Sequence, residues 1–202
     1  MRSDVIAFRT DELDAELLAT PFETMTNWHV LAGAPSCGKT TLVEGLAASG
    51  YRTVPEPARA YLEGEVAKGR AIEDIHRDGA ALQCTLADIQ SEVEAQLPSR
   101  NLLFLDGAFP SSLAWYRAFG LNPNELLPRC FRHQYAAVFL LDALPLDVDD
   151  IRFDDTGLVS FLDEWITRDF SALGYDVVRV PVLPPEGRLA FVLDRLMVGH
   201  AG

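Results

Sequence analysis

Gly33-Ala34-Pro35-Ser36-Cys37-Gly38-Lys39-Thr40 decides the fold of this 202-residue chain. The pattern is G-x-x-x-x-G-K-T, the Walker A phosphate loop. Glycines at both ends let the backbone turn tightly, so that successive N–H groups converge on phosphate oxygens. Lys39 supplies a point charge to the β- and γ-phosphates, and the Thr40 hydroxyl is placed to ligate Mg²⁺. A match at four fixed positions arises by chance in about 1% of chains this long, so its surroundings decide. Trp28–Ala32 before the loop is a short apolar run suited to a buried strand. Thr41–Ala48 after it carries apolar residues at helical spacing, and a helix there adds its positive end to the anion site. Strand, loop and helix predict binding of ATP by residues 33–41, with Mg²⁺ between Thr40 and a second ligand.

Working outward, the periodicity predicts further strands at Tyr51–Val54, Asn101–Asp106, Tyr135–Leu141 and Tyr175–Val180. It predicts helices at Ala58–Lys68, Ile72–Leu97, Ser111–Phe119, Asn124–Phe131, Leu158–Leu173 and Pro185–Val198. Such alternation implies an α/β fold of the P-loop NTPase kind: about five parallel strands with helices on both faces and ligands at the carboxyl edge. Residues 27–202 read as one nucleotide-binding domain. Residues 1–26 read as an N-terminal extension with a short amphipathic helix at Asp11–Leu18 and no assigned chemistry.

Asp106 closes an apolar strand, where a carboxylate can hold Mg²⁺ or its water; the competing reading is a cap for the next helix. Glu56 lies just past the second strand between Pro55 and Pro57. There it either accepts a proton from a substrate hydroxyl or sits in a turn paired with Arg59. Arg59, Arg117 and Arg152 are candidates to neutralise a transferring phosphate. Arg152 is the lone cation of the acidic segment 145–157, which reads as a closing lid. His29, His76, His133 and His200 lack ligand spacing and read as structural. So does Cys37; with Cys84 and Cys130 it makes three widely spaced thiols, suited to a reducing cytoplasm.

The net charge is −13. That disfavours nucleic acid as a partner and points to a small-molecule phosphate acceptor. No apolar run approaches the ~20 residues of a membrane span, and the acidic start is unlike a secretory leader.

The stretches Gly33–Leu42 and Gly50–Arg59 resemble the NadR-like AAA-domain family of small P-loop ATPases. So do the strand running to Asp142 with Arg152 beyond it, and Leu173-Gly174-Tyr175 continuing to Pro181 and Arg188. The resemblance covers nearly everything from about residue 27. It implies an ATP-binding domain similar to nicotinamide riboside kinase and, more distantly, to thymidylate and deoxynucleoside kinases. In those kinases the Glu after the second strand is the base, which would make Lys39, Glu56 and Arg152 the catalytic set. The family pattern Asp-Arg-Gly-x-x-Asp reads here Asp106-Gly107-Ala108-Phe109-Pro110-Ser111, so the Arg and the second Asp are replaced. Two functions follow: a kinase acting on a nucleoside-like hydroxyl, or a nucleotide-dependent binding module with little turnover. No Asn-Lys-x-Asp and no Leu-Ser-Gly-Gly-Gln occurs, which sets aside GTPase and transporter identities.

Overall fold

The computed structural model describes residues 8–144 and 156–199. In chain order its elements are α1 (Ala15–Leu18), β1 (Thr24–Met25), β2 (Trp28–Ala32), α2 (Lys39–Ala48), β3 (Thr53–Val54), α3 (Pro57–Ala67), α4 (Ile72–His76) and α5 (Gly79–Ala95). Then follow β4 (Leu103–Asp106), α6 (Ser111–Ala118), two 3-10 turns (Pro123–Glu125 and Leu127–Phe131), β5 (His133–Gln134), β6 (Ala137–Leu141), α7 (Thr156–Ala172), β7 (Val177–Val180) and α8 (Pro185–Gly199). Five strands form a parallel sheet in the order β3-β4-β2-β6-β7. The central strand β2 therefore delivers the phosphate loop to the crevice where the chain switches from one side of the sheet to the other, the place where such sheets bind ligands.

Alternation along the strands sorts the core into two layers. Val30, Leu105, Val138 and Leu140 meet Ala114 of α6 and Leu162, Trp165 and Phe170 of α7. Leu31, Phe104, Phe139 and Leu141 meet Leu42 and Leu46 of α2 and Val192 of α8. Because β2 and β4 are buried on both faces, both read as unbroken apolar runs. Each fully buried large side chain, such as Phe104, stabilises the fold by about 1.5–3 kcal/mol. Helices thus cover both faces, as the alternation predicts.

The differences from that reading have local causes. The predicted helix 72–97 is two helices, because Asp78 caps α5 by accepting from the Ala81 amide at 3.0 Å, a bond worth about 1 kcal/mol. Gly79 is also held against Phe119, where a Cβ would come within 2.2 Å of the ring. Residues 124–131 form 3-10 turns instead of a helix, since Pro123 and Pro128 lack the amide an α-helix needs. The strand expected from Tyr135 begins at Ala137; His133–Gln134 leaves the main sheet to pair with β1. Only Thr53–Val54 of the second strand joins the sheet. Helix α1 is limited to four residues, capped by Asp14. The segment before β2 is packed against the domain: Leu17 and Phe22 lie against a third core cluster around Leu127 and Phe131.

Candidate functional site

The phosphate loop begins where β2 ends, and its backbone carries the strain its sequence allows. Gly33 has φ 145°, and a Cβ there would lie 2.7 Å from Cys37 Sγ and 3.0 Å from the Leu141 carbonyl oxygen. Gly38, at φ 88°, caps α2. Ser36 is the only non-glycine residue with positive φ among the described residues, at 60°. A left-handed serine is strained by roughly 1–2 kcal/mol and persists only where its surroundings hold it. The turns that face N–H groups into the loop send carbonyls outward, and these find donors. Lys39 Nζ donates to the Gly33 and Ala34 carbonyls at 2.9 and 3.1 Å and lies 3.7 Å from Cys37 Sγ. Pro35 is half-buried, Ser36 and Thr41 are exposed, and Cys37 is fully buried.

Thr40 opens α2 next to the end of β4. Its Oγ1 donates to Asp106 Oδ2 at 3.4 Å, and the register of β2 with β4 brings Asp106 opposite Leu31. Asp106 is only 4% exposed, and its Oδ1 has no hydrogen-bond partner. Burial, reinforced by the nearby charge of Glu56, pushes the Asp106 carboxyl up to about 6; Lys39, the Thr40 hydroxyl and Arg59 act against that rise. An orphaned carboxylate oxygen beside a hydroxyl suits a small hard cation that keeps waters and phosphate oxygens in its shell. Among the described residues no cluster of three acidic, His or Cys side chains exists to cage a metal. The residues therefore fit Mg²⁺ held jointly by protein and phosphate.

Glu56 occupies the N-cap position of α3 but makes no side-chain cap bond. It has no hydrogen bond or ion pair among the described residues, so the alternative pairing with Arg59 is absent. β3 and β4 run parallel with Val54 opposite Leu105, so Glu56 and Asp106 share the carboxyl edge of the sheet, and the Glu56 charge acts on Asp106. Arg59, in the first turn of α3, is exposed and acts on the same carboxylate. Arg152 lies outside the described residues, with the rest of the segment 145–155.

Arg117 does not belong here. It is fully buried, donates from Nη1 to Asp169 at 2.6 Å, and lies 4.3 Å from the centre of the Trp165 ring. Removing either partner of such a pair leaves a buried charge and costs about 3–5 kcal/mol; Arg117 is a core residue.

Two residues with no role in the sequence reading support the site. Glu94 of α5, 2% exposed, accepts from the Phe109 amide at 2.7 Å and from the Tyr135 hydroxyl at 2.8 Å, fixing the loop that leaves Asp106. Arg188 of α8 reaches the phosphate loop itself. Glu94 is not singled out locally, since Phe109 and Tyr135 come from other elements. Arg188 stands in a stretch that carries the resemblance, but its bond to Cys37 is invisible in sequence. Leu144 is an exposed apolar residue whose Cδ1 lies 3.6 Å from the Cβ position of Gly38, beside the loop.

The family model for an AAA domain matches residues 28–188. No curated protein matches the chain. Among solved structures, NadR protein in complex with NR superposes with a TM-score of 0.63 at 20% identity, covering 86% of this chain and 51% of that one. The chain thus spans about half the length of that protein. Deoxyadenosine kinase from M. mycoides gives 0.59 at 13% identity, covering 85% and 98%. Shikimate kinase from Aquifex aeolicus vf5 gives 0.52 at 17% identity, covering 87% and 99%. At these identities the likeness shows the fold alone, a P-loop NTPase sheet with its helices. No described helix is long and apolar enough to cross a membrane.

Proposed function

We propose that this chain, which belongs to the AAA-domain family, is a small-molecule kinase that passes the ATP γ-phosphoryl to a nucleoside-like hydroxyl with Mg²⁺. One observation carries the reading. Asp106 has the Thr40 hydroxyl on one oxygen, no partner on the other and the charge of Glu56 close by. An orphaned buried oxygen beside a hydroxyl is open to a cation, and Glu56 adds a second carboxylate that a base role can use.

In this reading the loop amides of residues 33–41 hold the triphosphate, and Lys39 exchanges its loop carbonyls for phosphate oxygens. Leu144, beside Gly38, gives the base an apolar contact. Mg²⁺, held by Thr40 and Asp106, would neutralise charge on the phosphates. Glu56 is assigned to accept the proton of the acceptor hydroxyl as that oxygen attacks phosphorus, with ADP as the leaving group. Arg152 is assigned to a closing lid on the strength of the sequence alone. The acidic surface favours a small acceptor over nucleic acid, and three free thiols suit the cytoplasm. A second reading, a nucleotide-dependent binding module, rests on Gly107: it replaces the family's arginine, and nothing lies within 4 Å of its Cβ position.

The test is a panel of nucleosides and ribosides incubated with the protein, Mg²⁺ and γ-labelled ATP. Label in one acceptor establishes the kinase. MgATP binding that depends on Lys39, with no labelled acceptor, favours the binding module. Binding that Lys39→Ala leaves unchanged removes both readings.

A further inference from the structure

Cys37 stands between two left-handed residues, Ser36 at φ 60° and Gly38 at φ 88°. The Cys37 carbonyl in this turn is held by a side chain from another element. That carbonyl accepts from Nη1 of Arg188, whose Nη2 donates to the Asp142 carbonyl at 2.9 Å and whose Nε donates to the Pro181 carbonyl at 3.0 Å. One planar guanidinium thus joins the phosphate loop to the residues that follow β6 and β7. Arg188 is 4% exposed and has no carboxylate partner among the described residues. Its Nη1 lies 3.3 Å from the Cβ position of Gly38, immediately behind the loop.

Lys39 also bonds loop carbonyls, but its ammonium is the group a phosphate recruits, so its hold cannot outlast binding. Arg188 is nearly fully buried with all three guanidinium nitrogens on carbonyls, so it is not free to turn to a phosphate. We propose that Arg188 is the positioning residue that keeps the phosphate loop in its anion-binding shape, by fixing the Cys37 carbonyl to the ends of β6 and β7. A fork of fixed geometry is what three separate carbonyls require, and a lysine cannot reproduce it. The role rests on the nucleotide-binding reading of the loop, although loop order is measurable without any nucleotide.

Cys37 is itself the reporter, being fully buried beneath the loop, while Cys130 is equally buried in a different core cluster. The experiment compares native protein with Arg188→Lys and Arg188→Met, reading iodoacetamide labelling of each cysteine by mass spectrometry and MgATP affinity by titration calorimetry. Both variants are expected to label Cys37 on the order of tenfold faster and to bind MgATP about tenfold more weakly, the size of one lost charge-assisted bond. Cys130 labelling is expected to stay at the native rate. Three results overturn the proposal: unchanged Cys37 labelling, Cys37 and Cys130 rising together, or native behaviour in Arg188→Lys. If both variants fail to fold, Arg188 is a residue of the whole fold and the loop-specific role is lost. If native protein binds no MgATP, the nucleotide reading fails, while the ratio of Cys37 to Cys130 labelling still decides whether Arg188 orders the loop.

Discussion

Glu94 and Asp106 are both buried carboxylates, 2% and 4% exposed, and one short loop separates the backbone each serves. Glu94 accepts from Gln90, from the Phe109 amide and from the Tyr135 hydroxyl. Asp106 accepts one long bond from Thr40 and leaves an oxygen unpartnered. Burial is the same and satisfaction is opposite. A carboxylate whose lone pairs are consumed by the protein holds the protein together. One whose lone pairs are kept waiting stores unfavourable energy that only something from outside can relieve. The carboxyl edge of the sheet is built in the second way and the helical layer behind it in the first.

The comparison is sharpened most strongly at Glu56, the other carboxylate on the waiting side. Glu56→Gln is nearly isosteric and removes only the proton acceptor. Phosphoryl transfer is expected to fall about 10²–10⁴-fold with folding and MgATP affinity retained. Steady-state kinetics beside a calorimetric titration check this; an unchanged kcat would put the base elsewhere.

Glu94→Ala tests the satisfied side and should act in the reverse manner. Buried donors on Phe109 and Tyr135 lose their acceptor, so stability should drop by roughly 3 kcal/mol in urea unfolding. A loss under ~0.5 kcal/mol would mean that Glu94 is not holding the loop after β4.

At Asp106 the sign is inverted. Its carboxyl is raised from 3.8 to about 6 in the fold, so between those values the native state binds more protons than the unfolded chain. Stability from this group is fully present below pH 3.8 and is lost as pH rises through 6, by at most about 3 kcal/mol. Asp106→Asn should therefore raise stability at pH 7.5 in metal-free buffer and flatten its pH dependence between 4 and 6, while abolishing any gain from Mg²⁺. Denaturation of variant and native protein across that range reads both effects. A variant less stable than native at pH 7.5 would make Asp106 an ordinary structural residue.

The smallest effect is on the metal. Since protons compete for the same carboxylate, apparent Mg²⁺ affinity should weaken by up to about tenfold per pH unit below 6. Mg²⁺ titrations of MgATP binding at pH 5 and 7 measure it, and a pH-independent affinity would take Asp106 out of the metal site.

The legible parts of the molecule are those whose chemistry is local. Gly33, Gly38, Lys39 and Thr40 announce themselves because a turn, a charge and a hydroxyl must fall within eight residues. The position of Asp106 at the end of an apolar strand is legible, while Asp142 follows another such strand and pairs with Arg179, so position alone does not give the role. Glu94 is not legible, since within α5 it is one more acidic residue in a polar stretch and its meaning comes from Tyr135, 41 positions away. Arg117 reads like any surface arginine until Asp169 and Trp165 are brought around it. The break between α4 and α5 is missed because an apolar helical period continues across Arg77-Asp78 and hides the cap. Arg152 remains a sequence assignment outside the described residues.

The bond from Arg188 to Cys37 spans 151 residues. A ribosome makes Cys37 before α8, so until α8 has emerged the Cys37 carbonyl has no guanidinium to receive. On the role proposed for Arg188, the loop holds a nucleotide about tenfold more weakly until residue 188 clears the exit tunnel. Until then the shape of the loop rests on the apolar residues of the strands around it.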